Sequence, residues 1–225
     1  MCGRFTLTED GQILMDQLRL PMLPEDYRVR YNIAPGQPVL NVFMTSTGRR
    51  AAMFRWGLVP SWAKDDRIGY KMINARSESA LEKPSFKRAF EKRRSIIPAD
   101  SFYEWRREGN KKTPMRILLK SRRVFVFAGL WEAWRPPGST GDERLFTCTI
   151  LTTEANDLVR PVHDRMPVIL APEDVDTWLD PDVPPEAAAQ LCKPYPAEEM
   201  EAYEVSPIVN SAKVDSKECI EPVTG

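Results

Sequence analysis

The sequence has 225 residues, with 32 basic and 32 acidic side chains and 42% hydrophobic content. That length suits a single domain over 1–225, and no apolar run is long enough to cross a bilayer, which excludes a helical membrane protein. Four scattered cysteines without a C-x-x-C pair, and one histidine, argue against a zinc site or a disulfide framework. No metal and no cofactor are expected, and the expected compartment is reducing and cytoplasmic.

The zero net charge is uneven along the chain. Residues 1–135 carry 26 Lys and Arg against 14 Asp and Glu, whereas residues 136–225 carry 6 against 18. If the halves stay apart in space, a basic face suits a polyanion. If folding interleaves them, the imbalance is sequence bookkeeping.

In chain order, the opening "MCGRF" comes first. Loss of the initiator Met would leave Cys2 with a free amine and a thiol on adjacent carbons, a pair suited to capturing an aldehyde. If residues 2–6 are extended, Cys2 and Arg4 face the same way. "TEDGQILMDQLRL" (8–20) has helical spacing with Thr8 as its N-cap. "RVRYNI", "VLNVFM", "AAMFRWGL" and "YKMINAR" read as strands. Trp56 and Trp62 in "RWGLVPSWAK" lie among Gly, Pro and basic residues, which fits stacking on unpaired bases or, for Trp56, core packing. In "INAR", Asn74 and Arg76 share a strand face, where an amide and a guanidinium suit a nucleophile beside a phosphate.

"PSFKRAFEKRR" (84–94) reads as a basic amphipathic helix. Strands resume with "RSIIP", "SFYEWR", "PMRILLK", "VFVFAGLW" and "LFTCTILT", and 135–143 is a loop by composition. Glu104, between Tyr103 and Trp105, is a carboxylate in aromatic surroundings, which suits proton transfer. "TEANDLVRPV" reads as a short helix capped by Thr153, and it leads to His163, an imidazole suited to acid–base work. "PEDVDTWL" and "PPEAAAQLC" read as short acidic helices. The fold class is α+β: a β-rich domain of antiparallel sheets with peripheral helices.

Taken together, "MCGRF", "RYNIAPGQ", "RWGLVPSWAK", "INARSES", "PADSFYEW", "LTTEAN" and "VHDRMPVIL" closely resemble the SOS response-associated peptidase (SRAP) family of abasic-site sensors. The likeness runs in order over nearly the whole chain, weakest near 135–144 and 180–204. It implies a barrel-like β core with a basic DNA-binding cleft, and covalent crosslinking to abasic sites in single-stranded DNA. It also implies associated lyase and self-processing peptidase chemistry. By position, Cys2 would form a thiazolidine with the ring-opened sugar and Asn74 would position the amine. Glu104 would shuttle protons, and His163 would assist sugar opening and strand cleavage. Arg4, Arg76 and Arg165 would hold phosphates, while Asn32, Pro35 and Thr152 would line the pocket or part the bases. The implied protein is a monomer associated with the nucleoid when bound to DNA. The rival is a glutamine amidotransferase-like hydrolase with an N-terminal cysteine. Against it stand the absence of that class's asparagine-glycine-glutamate stretch and of room for a synthase domain. A third reading is a non-catalytic nucleic-acid module.

Overall fold

Short β-branched and aromatic runs, broken by Gly, Pro and charged turns, form thirteen strands in the computed structural model, which describes residues 2–139 and 141–223. The first five are β1 (Phe5–Leu7), β2 (Arg30–Ile33), β3 (Pro38–Thr45), β4 (Gly48–Trp56) and β5 (Asn74–Arg76). Next come β6 (Arg94–Ala99), β7 (Ser101–Glu108), β8 (Lys111–Leu119), β9 (Phe125–Trp134) and β10 (Leu145–Glu154). β11 (Arg165–Pro167), β12 (Ile169–Leu170) and β13 (Met200–Glu204) complete the set. Helices are few and short: α1 (Gly11–Leu18), α2 (Ser77–Ala80), α3 (Lys87–Lys92), α4 (Val175–Leu179) and α5 (Pro185–Ala189). The fold is mixed α+β and sheet-rich.

The strands form two sheets. The smaller has the order β13-β8-β7-β1-β2, and the larger runs β11-β10-β4-β3-β6-β9-β12 with β5 on β10. Because β9 also pairs with β10, the pairings from β10 through β4, β3, β6 and β9 return to β10 in a circuit. Not every pairing is antiparallel as expected: β10 runs parallel to both β4 and β5. Parallel neighbours come from distant parts of the chain, so no local signal announces them.

Phe5 joins the sheets. It stands on β1 of the smaller sheet, 1% exposed, and meets Trp56 and Phe127 of the larger sheet edge-on at centroid distances of 5.2 and 5.6 Å. Trp56 is 1% exposed and donates its indole N–H to the Ile73 carbonyl, so it is a core residue and not a stacking surface. The chain after it crosses itself closely: a Cβ on Gly57, at φ 131°, would lie 2.6 Å from the Gly69 carbonyl oxygen. Only glycine fits that crossing.

Several local expectations shift. The N-cap of α1 is Asp10, whose side chain accepts from the Gln12 amide, while the Thr8 hydroxyl donates to Asp100 instead. Thr153 and Glu154 belong to β10, paired with Met166 and Arg165 of β11, so the expected helix over 153–162 is absent. Only Lys87–Lys92 of the 84–94 stretch is helical, and only Asn74–Arg76 of "YKMINAR" is strand. β13, acidic and unanticipated, pairs with β8. The charge halves interleave, with Arg30 bound to Asp215, Arg49 to Asp176 and Arg122 to Glu201.

Truncating the joint between the sheets should be costly. Phe5→Ala is expected to lose about 3–5 kcal/mol of stability in urea unfolding followed by tryptophan fluorescence. A loss below about 1 kcal/mol would mean the sheets are held together elsewhere.

Candidate active site

Cys2 is placed by the strand it precedes. β1 pairs with β7 with Phe5 opposite Phe102, and the ladder continues where the Tyr103 amide donates to the Arg4 carbonyl at 2.9 Å. That antiparallel register runs Gly3 and Cys2 towards Glu104. The strand is pinned from its other end by buried Asp100, which accepts hydrogen bonds from Thr6, from the Thr8 amide and from the Thr8 hydroxyl. Arg116 backs this carboxylate at 3.8 Å and donates to Ser101 Oγ at 2.8 Å.

Cys2 is fully buried. Burial drives its thiol pKa far above the ordinary range, and the negative charge of Glu104 adds to the rise. Both effects favour the neutral thiol over a standing thiolate. Its Sγ lies 4.0 Å from the Arg4 carbonyl oxygen, a weak contact.

Asn74 comes to Cys2 from the other sheet. It opens β5, opposite Ile150 of β10, and its Nδ2 donates to the Cys2 carbonyl at 2.7 Å. Asn74 Oδ1 is buried and has no hydrogen-bond partner among the described residues. A buried acceptor left unmatched costs about 1–3 kcal/mol. Ala75, next along the strand, is buried and Arg76 exposed, so Asn74 and Arg76 lie on one face as strand periodicity requires.

Glu104, 4% exposed, and His163 line one cavity of about 510 Å³ with Trp105, Arg107, Lys112 and Asn210. His163 Nδ1 lies 2.9 Å from the Arg165 main-chain nitrogen and 2.8 Å from Asp164 Oδ1. The two contacts are alternatives. A bare Nδ1 accepts from the Arg165 N–H, whereas a protonated Nδ1 donates to Asp164. A larger groove of about 680 Å³, near Arg49 and Tyr195, contains none of the residues singled out by the sequence.

The remaining candidates divide. Arg4 Nη1 donates to Asn32 Oδ1 and to the Val209 carbonyl, both at 2.7 Å, and the guanidinium lies 5.8 Å from the Trp105 ring centroid. Asn32 is fully buried, and its Nδ2 faces the carbonyls of Val209, Ser211 and Val214. It holds the 209–214 segment to β2 and offers no face to an incoming base. Thr152 is likewise buried, under the Arg165 guanidinium. Pro35 is half-buried, Arg76 is exposed, and Trp62 is 57% exposed, as a stacking residue must be. Arg165 forms a two-pronged ion pair with Glu78 at 2.6 and 2.8 Å.

Sequence reading missed Arg107, Lys112, Asn210 and Glu78. Arg107 and Lys112 are cross-strand partners on the β7–β8 hairpin, so the pair needs the hairpin register, which the sequence leaves open. Asn210 accepts from the Trp105 indole at 2.7 Å across 105 positions and carries no local signal. Among the described residues, no group of three or more His, Cys, Asp or Glu could hold a metal, and no helix is long and apolar enough to cross a membrane.

The Glu78–Arg165 pair has a pH signature. Hydrogen bonding to Arg165 holds the Glu78 carboxyl below its ordinary range. A folded-state value below the unfolded one means a contribution present above the usual carboxylate pKa of about 4.3 and lost as pH falls through the folded value. The stability difference between wild type and Glu78→Gln should be constant from about pH 6 to 8 and shrink below about pH 4. A difference that grows in acid would contradict the pairing.

With this geometry in place, comparison with known proteins is direct. Residues 1–212 match the family described as SOS response associated peptidase (SRAP). Abasic site processing protein YoqW of Bacillus subtilis is 50% identical over 225 residues, covering 98% of this chain and 99% of that protein. Abasic site processing protein HMCES of Gallus gallus is 35% identical, over 88% of this chain and 67% of that protein. A crystal structure of a protein from Bacteroides thetaiotaomicron superposes with a TM-score of 0.86 at 26% identity, over 99% of this chain and all of that one. A second, from Bordetella bronchiseptica, gives 0.78 at 26% identity over 91% of this chain and all of that one. A family match over most of the chain, with one relative 50% identical along nearly its full length, leads to one conclusion: the chain belongs to the SRAP family.

Proposed function

We propose that this protein processes abasic sites in DNA, capturing the open-chain sugar aldehyde of single-stranded DNA on Cys2. The observation that carries the reading is the Asn74 hydrogen bond to the Cys2 carbonyl, with Glu104 close enough for its charge to act on the thiol. Met1, whose removal the chemistry requires, lies outside the described residues.

The released α-amine adds to the aldehyde carbon, and water leaves to give an imine. The Cys2 sulfur then adds to that carbon and closes a five-membered ring. Closure is intramolecular, so effective molarities of up to ~10⁵–10⁸ M can apply. A buried neutral thiol must lose its proton as the C–S bond forms, and Glu104 is the adjacent carboxylate to take it. Asn74 Oδ1, a buried acceptor without a partner among the described residues, suits an N–H of the amine. His163 shares the Glu104 cavity, and its alternative Nδ1 contacts suit a group that gives and takes protons during sugar opening and strand cleavage. Arg76, Arg107 and Lys112 are exposed cations suited to backbone phosphates, with Trp62 for stacking. The strand circuit supports a barrel-like core within one domain, and this reading takes the protein as a monomer acting on DNA in the cytoplasm. Self-processing peptidase activity belongs to the same reading, with Met1 as the residue removed.

Incubation with single-stranded DNA carrying one abasic site, followed by denaturing electrophoresis, tests it. Wild type should give a heat-stable shifted band that Cys2→Ser lacks, and a preparation retaining Met1 should not form it. Glu104→Gln should slow formation and reversal together by about 10²-fold, because a catalyst cannot move the equilibrium. An adduct of wild-type yield from Cys2→Ser would overturn the reading.

A further inference from the structure

Glu78 has no part in the chemistry above, yet it bridges two pieces of the site. It lies in α2, directly after the strand that carries Asn74 and Arg76. Its Oε1 accepts from Arg165 Nη1 at 2.6 Å and its Oε2 from Arg165 Nη2 at 2.8 Å. Arg165 Nη2 also donates to the Thr152 carbonyl at 2.7 Å. Thr152 is the register partner of Arg76 on one side of β10 and of Pro167 on the other. β5 and β11 are three-residue strands that meet at this one position of β10. Neither has much ladder of its own to resist sliding or fraying.

Most exposed ion pairs do little, but two-pronged arginine–carboxylate geometry is the exception. Here the guanidinium side chain is only 12% exposed, although Glu78 is 54% exposed. The same Arg165 supplies the main-chain N–H that donates to His163 Nδ1 at 2.9 Å. A guanidinium fixed at its tip restrains the backbone at its root. That backbone N–H favours a bare Nδ1, in competition with Asp164 Oδ1, which lies 2.8 Å from the same nitrogen and favours a protonated one.

We propose that Glu78 is a positioning residue: through Arg165 it locks the β11 segment against β5, and so fixes the ring orientation and tautomer of His163 relative to Asn74. The aspect of this proposal that concerns rate rests on the abasic-site reading; the aspect that concerns the ring does not. A consequence is that Arg165 meets DNA already partnered, so a phosphate would have to share it with Glu78 or displace Glu78.

His163 is the sole histidine, so ¹⁵N-histidine labelling reports this ring without assignment. At a pH where the ring is neutral, wild type should show a bare Nδ1 and a protonated Nε2. Glu78→Ala should move both signals towards a mixture of tautomers, and Glu78→Gln, which keeps an acceptor oxygen, should move them less. At saturating abasic DNA, Glu78→Ala should lower the first-order rate of adduct formation by about 10-fold. The half-saturating DNA concentration should stay within about 2-fold of wild type or fall, since Arg165 gains freedom to meet phosphate. In an Arg165→Ala background, adding Glu78→Ala should change neither readout further. Ring signals identical in wild type and both Glu78 variants would overturn the proposal, as would an additive loss in the Arg165→Ala background. If wild type forms no adduct, the abasic-site reading fails while the ring signals still decide the role of Glu78.

Discussion

The site depends on one hydrogen bond, from Asn74 Nδ2 to the Cys2 carbonyl at 2.7 Å. Cys2 heads a strand of the smaller sheet and Asn74 opens a strand attached to the larger one, so the bond ties the N-terminal segment across the junction between sheets. Terminal residues ordinarily fray unless something holds them. Here the packing of Phe5 against Trp56 and Phe127 sets where β1 lies, and Asp100 pins it through Thr6 and Thr8. Asn74 then fixes the last step. The amide leaves one oxygen buried and without a partner among the described residues, an unfavourable arrangement for a purely structural asparagine. Its proposed role toward the Cys2 amine rests on that feature.

Electrostatics at the site oppose the usual means of activating a cysteine. Reactive thiols commonly sit near cations or helix N-termini that favour the thiolate. Cys2 is instead buried, with Glu104 raising its pKa further. A buried thiol with a raised pKa is little ionised, and so a weaker general nucleophile and oxidant target than an activated cysteine, which fits the proposed role. In the proposed reaction, an imine carbon beside it would need no standing thiolate, only a base at hand when the bond forms. On the proposed reading, burial and the neighbouring carboxylate would trade general reactivity for reaction with one kind of electrophile in one place.

The parts of this arrangement written in local pattern were legible in the sequence. Strand parity set Asn74 and Arg76 on one face, and the aromatic flanks of Glu104 pointed to its buried setting. What escaped depends on contacts between distant residues. Thr8 looked like a helix cap, but Asp100, 92 positions away, takes its hydroxyl. Thr153 and Glu154 looked helical, but pairing with β11 extends β10 through them. Asn32 carried polar potential in sequence, and the core claims it, while Trp56 takes the core-packing alternative offered for it. Arg107 and Lys112 become neighbours of the cavity only through the hairpin register. The opposed charge of the two halves did not survive folding as separate faces, because acidic residues from the second half pair with arginines from the first.

The central claim is that both nucleophilic atoms of Cys2 end up bonded to one sugar carbon. Nuclease digestion of the adduct followed by tandem mass spectrometry of the N-terminal peptide tests this most directly. The account predicts a peptide lacking Met1 and carrying the sugar remnant at Cys2 with one water lost, resistant both to thiol alkylation and to reagents that require a primary amine. A remnant on a lysine, or on Cys2 with either its primary amine or its thiol still free, would contradict it.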